Sequence, residues 1–71
     1  MAQQTKNALR RAFIQLLTER PLDKISIKDI AEKGAVNRNT FYYYYADIYA
    51  LVEDILQLEI QDFQSKLRRY D

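Results

Sequence analysis

Two short blocks on either side of the only glycine constrain this chain more than any other feature. The first is Ser26-Ile27-Lys28-Asp29-Ile30-Ala31-Glu32-Lys33-Gly34, and the second is Val36 followed by Asn37-Arg38-Asn39-Thr40-Phe41-Tyr42-Tyr43-Tyr44-Tyr45. Ser26 with Asp29 three residues on has the spacing of a capping box, Asp standing in for the usual Glu or Gln, so a helix starts here. Ile27, Ile30 and Ala31 form its inward stripe, and Gly34 sits where the helix would stop. Asn37 can cap the next helix through its side-chain oxygen, and Val36 before it can plug the core. The pattern predicts two short helices joined by a tight turn, the second over about residues 38 to 44. Ala31 supplies the small residue that two steeply crossing helices need at their contact.

The flanks complete an all-α reading. Leu9, Ala12, Phe13, Leu16 and Leu17 recur at the three-and-four spacing of one helical face, with Thr5 near the start and Pro21 closing the segment, which predicts a first helix over about residues 4 to 19. Its other face carries Lys6, Arg10, Arg11 and Gln15, read as facing solvent or phosphate. Leu22, Ile25 and Ile27 anchor the connection to the second helix. Asp47 is a good cap for a fourth helix over about residues 47 to 69. Ile48, Leu51, Val52, Ile55, Leu56, Leu58, Ile60, Phe63 and Leu67 give it more apolar surface than a four-helix head can cover. The surplus, above all Leu56, Ile60, Phe63 and Leu67, calls for a partner.

With 71 residues, no cysteine and no histidine, the chain is at most one small domain that must be stabilised by helix packing alone. The same absences remove disulfides, the usual zinc ligands and any Ser-His or Cys-His nucleophile pair, so no metal, no cofactor and no catalytic residue is expected. Carboxylate pairs such as Asp29 with Glu32, or Glu53 with Asp54, read as solvated charges on polar helix faces, and no glycine-rich phosphate loop accompanies them. Apolar runs are only a few residues long and the N-terminal residues alternate in polarity, so neither a membrane span nor a signal peptide is expected, and a cytoplasmic location follows as the default. Residues 5 to 48 carry eight basic against five acidic side chains, net +3, whereas residues 49 to 71 carry three against five, net −2. That division fits a DNA face at one end and something else at the other.

The short helix at 38 to 44 needs a buried face to exist at all. On a helical wheel Phe41, Tyr44 and Tyr45 share one side, while Arg38, Asn39, Tyr42 and Tyr43 fan over the remainder. An amide and guanidinium tip followed by tyrosines suits phosphate and base-edge contact: Arg can clasp guanine O6 and N7, Asn can pair with adenine N6 and N7, and hydroxyls fix register on phosphates.

Over residues 5 to 52 the ordered set Ala12-Phe13, Ile25 to Ala31, Val36, Thr40-Phe41-Tyr42, Tyr45 and Leu51 resembles the N-terminal DNA-binding domain of TetR-type transcriptional regulators. The resemblance implies a homeodomain-like three-helix helix-turn-helix head over residues 1 to 46. It also implies a fourth helix over 47 to 71, leading into a C-terminal effector-binding and dimerisation domain. It assigns base reading to Lys28, Arg38, Asn39 and Tyr42, and phosphate binding to Ser26, through its hydroxyl and backbone amide, and to Thr40, Tyr43 and Tyr44. The implied partner is a double-stranded, palindromic DNA operator in the nucleoid, bound by a homodimer acting as a repressor, with a small-molecule effector only where the C-terminal domain is present. Residues after Val52 cannot by themselves build an effector pocket or a complete dimer interface, so the chain reads as a piece of a longer regulator.

Three positions depart from the family pattern. Gly34-Ala35 reverses the usual Ala-Gly order, Tyr44 replaces a common histidine, and Ile48 stands where lysine usually clamps a phosphate. An alternative reading of a different class is a helical protein-interaction or dimerisation module working through the apolar face of helix four.

Overall fold

The computed structural model describes residues 2–69, which form four α-helices and one 3-10 turn. In chain order these are α1 (Ala2–Glu19), the 3-10 turn Leu22–Lys24, α2 (Ile27–Lys33), α3 (Arg38–Tyr44) and α4 (Ile48–Arg68). The all-α helix-turn-helix head with a long fourth helix is thus the observed architecture. Its α1 begins at Ala2 rather than near residue 4, because Ala2, Gln3 and Gln4 are all good helix formers and Thr5 lies inside the first turns instead of capping them. The connection after Pro21 is also more ordered than its composition suggests, with Ile25 N–H donating to the Leu22 carbonyl at 3.1 Å to close the 3-10 turn.

One cluster holds the head together. Leu9, Ala12, Phe13 and Leu16 from α1 meet Ile25, then Ile30 and Ala31 of α2, Phe41 of α3, Tyr45 and Leu51 of α4, all of them buried. Val36 plugs the edge of this core as its position suggested, and Ile48, Val52 and Ile55 extend it along the first half of α4. Two expected members are not in it. Leu17 is 42% exposed because it lies about 100° round α1 from Leu16, beyond the stripe that α2 and α4 cover, and Leu22 is exposed to the same degree while Ile25 anchors the connection.

The turn between α2 and α3 shows how the reversed Gly34-Ala35 order is accommodated. Ala35 N–H donates to the Glu32 carbonyl at 3.1 Å and Val36 N–H to the Ala31 carbonyl at 2.9 Å, the paired bonds of a Schellman motif. That motif requires a left-handed residue at position 35, and Ala35 adopts φ 62 while Gly34 stays right-handed at φ −82. Gly34 serves a different purpose. A Cβ at position 34 would lie a tight 3.3 Å from the Ile30 carbonyl oxygen of its own helix and at an ordinary contact distance of 3.5 Å from that of Ala8, so the glycine relieves crowding at the end of α2.

The strain at Ala35 has a measurable consequence. A left-handed residue bearing a Cβ costs about 1–2 kcal/mol, and glycine's freedom in the unfolded chain takes back about 0.5 kcal/mol. Ala35→Gly is therefore expected to raise the unfolding free energy by about 1 kcal/mol, seen as a higher urea midpoint at unchanged slope. A lower midpoint would show that the turn carries no such strain.

Candidate nucleic-acid interface

The N-terminus of α2 is built by a complete capping box. Ser26 Oγ accepts from the Asp29 amide at 3.1 Å, and Asp29 Oδ2 accepts from the Ser26 amide at 3.0 Å. Because Oγ acts here as an acceptor, the Ser26 hydroxyl proton remains available to a second acceptor. The Ser26 backbone amide does not, which corrects its expected role as a phosphate donor. Asp29 is likewise not the solvated charge its setting suggested: these bonds from Ser26 hold its carboxyl below the usual range, helped by Arg20, whose guanidinium stands 3.4 Å away. Lys28 projects from the same turn and is exposed.

The start of α3 follows the same logic. Asn37 Oδ1 accepts from the Thr40 amide at 2.8 Å and from the Thr40 hydroxyl at 3.1 Å, so the Thr40 proton is committed to the cap while its oxygen lone pairs are not. Arg38 and Asn39, the first two residues of the helix, are exposed. Phe41 is fully buried and anchors the opposite side. Tyr42 leans edge-on against Phe41, with ring centroids 5.8 Å apart, and keeps half its surface exposed. Tyr43 is 80% exposed. Tyr44 is divided: its ring meets Tyr43 edge-on at 4.8 Å and packs against the core, beside a groove shared with Lys6, Ala50, Glu53 and Gln57. The structure thus brings Lys28, Arg38, Asn39, Tyr42 and Tyr43 onto the exposed surface of two consecutive helices, with Ser26 and Thr40 at their caps.

What fixes α3 in place includes a polar cluster that no local pattern announced. Tyr45, the C-cap of α3, is buried, and a buried phenol needs a partner for its hydroxyl. It donates to Asp54 Oδ2 of α4 at 2.5 Å, and the same oxygen receives Arg10 Nη1 of α1 at 2.7 Å. Arg10 also donates through Nη2 to Asn7, and Lys6 sits over the Tyr45 ring, 5.8 Å from its centroid. Arg10, expected on a solvent or phosphate face, is therefore an internal tie with 11% of its side chain exposed, and Asp54, expected to be solvated, is its counter-ion. Burial and the Asp54 carboxylate push the Tyr45 hydroxyl up to about 12, and the Tyr45 bond, followed by Arg10, holds Asp54 below its ordinary value.

At the start of α4, Asp47 Oδ1 accepts from the Ala50 amide at 2.8 Å. Ile48 packs against the core instead of reaching outward, so the position where a lysine clamp is common presents no cation; the neighbouring Tyr49 is exposed. Among the described residues there is no group of His, Cys, Asp or Glu side chains that could hold a metal ion, and no helix is long and apolar enough to cross a membrane.

Comparison with known proteins agrees with this geometry. The model of the family "Bacterial regulatory proteins, tetR family" matches residues 5–55. An uncharacterized HTH-type transcriptional regulator of Bacillus subtilis, YxbF, is 33% identical over 57 residues, covering 80% of this chain and 15% of that protein. A second from the same organism, YvdT, is 38% identical over 47 residues, covering 66% of this chain and 24% of its own length. The chain therefore spans less than a quarter of either relative, and no solved structure matches it significantly. With the capped α2–turn–α3 pair, the buried Phe41 and Tyr45, and a family match that runs through the half of α4 packed on the core, the chain belongs to the tetR family of bacterial regulatory proteins and carries that family's helix-turn-helix head.

Proposed function

We propose that the α2–α3 pair is the DNA-reading head of a transcriptional repressor and that α3 enters the major groove of double-stranded DNA. Arg38 and Asn39 read base edges from the first turn of α3, joined by Tyr42 and by Lys28 of α2. The Ser26 hydroxyl, Thr40, Tyr43 and Tyr44 hold phosphates and set the register. The observation that carries this reading is the division within α3: Arg38, Asn39 and Tyr43 face outward on a helix whose other side, Phe41 and Tyr45, is locked into the core. Base-contacting groups on a rigid helix suit direct readout.

In this reading residues 1 to 46 form the head, and residues 47 to 71 lead toward a dimerisation and effector-binding domain of a longer cytoplasmic, nucleoid-associated protein. Two heads then engage a palindromic operator. A single head holds only a half-site, so on its own it binds at about the non-specific level, 10⁻⁴ to 10⁻⁶ M at physiological salt. Ile48 supplies no phosphate clamp, which leaves Lys28 and Arg38 as the cations of the proposed face.

Fluorescence anisotropy with a labelled duplex tests this. Cations drawn onto the polyanion displace its condensed counterions, so the logarithm of the association constant is expected to fall steadily as the logarithm of salt concentration rises. Affinity independent of salt would remove DNA from the account.

A further inference from the structure

Three anchors hold α3. Its entering end follows from the hydrogen-bonded turn at Ala35 and Val36, its middle is fixed by Phe41, and its leaving end is the C-cap Tyr45. The turn ties α3 to α2. Phe41 is an apolar anchor, and burial of apolar surface has no preferred direction, so it holds the helix against the core without fixing its tilt. Tyr45 supplies what the other two lack, directional bonds to α1 and α4. Its hydroxyl donates to Asp54 Oδ2 of α4 at 2.5 Å, and Arg10 Nη1 of α1 donates to the same oxygen at 2.7 Å while standing 3.4 Å from the hydroxyl itself. Arg10 is braced in turn by Asn7. Tyr45 is 4% exposed and the Arg10 side chain 11%, so little water competes for these bonds.

The lever from this tie to the outward face is long enough to matter. Phe41 and the pair Arg38 and Asn39 stand on opposite sides of a helix about 10–12 Å across with its side chains, so a tilt of about 10° about Phe41 carries the outer groups some 2 Å. Paired hydrogen bonds to a base edge tolerate displacements of only about 0.5 Å. Contacts to phosphates carry no sequence information and re-form on a shifted helix. Loss of the tie therefore falls on discrimination between sequences before it falls on DNA affinity as such.

We infer that Tyr45, through its hydroxyl bond to Asp54 and with Arg10 holding that carboxylate, is a positioning residue for base reading: it sets the tilt at which α3 presents Arg38 and Asn39, without touching DNA. The inference rests on the proposed role of α3 as the reading helix. It adds that the specificity of that helix is set from α1 and α4 by a polar tie on its buried side.

Selection of duplexes from a random pool with the longer two-headed protein supplies the probe. Fluorescence anisotropy then measures affinity for the selected duplex and for a shuffled duplex of the same composition, at a temperature where circular dichroism shows every variant fully folded. Tyr45→Phe should lower the ratio of the two affinities about tenfold while its affinity for the shuffled duplex stays within about twofold of wild type. Asp54→Ala should lower the ratio at least as far, and the double variant no further than Asp54→Ala alone, because both act through one bond. Leu16→Met, which alters the core and leaves the tie intact, should keep the wild-type ratio. A wild type that enriches no sequence overturns the DNA reading, and this inference with it. Enrichment by the wild type beside a Tyr45→Phe variant whose ratio lies within about twofold of it overturns the positioning role alone. Equal loss of discrimination in Leu16→Met overturns it as well, since packing in general would then set the tilt.

Discussion

Phe41→Ala is expected to leave much of the chain unfolded near body temperature. Phe41 is fully buried where all the head's elements meet, with Tyr45 tilted against it at a centroid distance of 5.7 Å and Tyr42 edge-on at 5.8 Å. Truncating a buried phenylalanine costs about 3–5 kcal/mol through lost transfer energy and the cavity left behind. A chain of this size has only about 4–10 kcal/mol to lose. The loss falls first on α3, since a seven-residue helix has no stability of its own and exists because Phe41 and Tyr45 hold it. Thermal unfolding followed by circular dichroism should show a midpoint lower by about 15 °C or more, while Phe41→Leu, which keeps most of the volume, should lose far less. A midpoint for the alanine variant within a few degrees of wild type would mean that α3 is held by something else.

Asp54→Ala is the second large effect, and it acts through charge rather than volume. Removing the carboxylate leaves the Tyr45 hydroxyl and the mostly buried Arg10 guanidinium without the acceptor they share. Charge-assisted bonds of this kind contribute about 1.5–3 kcal/mol, and the partial exposure of Asp54 places the expected loss near the middle of that range, about 2 kcal/mol. Tyr45→Phe should cost less, because the Arg10–Asp54 pair survives it.

The same cluster sets the pH limits of the fold. Asp54 is held below 3.8 by the Tyr45 hydroxyl and then by Arg10, so the unfolded chain takes up a proton more readily than the folded one. Its stabilisation is full above the unfolded value and is lost as pH falls through the folded value. Tyr45 runs the other way, from 10.0 to about 12, so its contribution is full below pH 10 and is lost as pH rises through about 12. Urea midpoints measured from pH 2 to pH 5 should fall less steeply for Asp54→Asn than for wild type, with the remaining slope carried partly by Asp29. Coincident acid limbs would show that the cluster does not form in solution.

The parts of this fold that are legible in the sequence are those fixed by neighbours along the chain. Ser26 with Asp29, Asn37 with Thr40 and Asp47 with Ala50 are caps closed within three residues, and each is found as the spacing implies. The burial of Phe41 and Tyr45 follows from the helical period together with the need of a short helix for a buried face. The Arg10–Asp54–Tyr45 cluster was not legible, because its members are 9 to 44 residues apart and α1 presents Arg10 in an ordinary polar pattern. One signal pointed toward it: a tyrosine at a core position brings a hydroxyl that must be satisfied. Ala35 shows the opposite limit. Its neighbours fix the turn, but only the backbone geometry reveals that a left-handed position has fallen on the residue less suited to it.

The central claim is that Arg38 and Asn39 read DNA bases from the first turn of α3. Selection of bound duplexes from a random pool tests it most directly, performed with the longer two-headed protein and comparing the wild type with Arg38→Ala, Asn39→Ala and Tyr43→Phe. The wild type should enrich a defined half-site, each alanine variant should lose about 1–3 kcal/mol of discrimination at its own base position, and Tyr43→Phe should weaken all sequences alike. Enrichment by both alanine variants of the same sequences, to the same degree as wild type, would contradict the assignment of α3 as the reader.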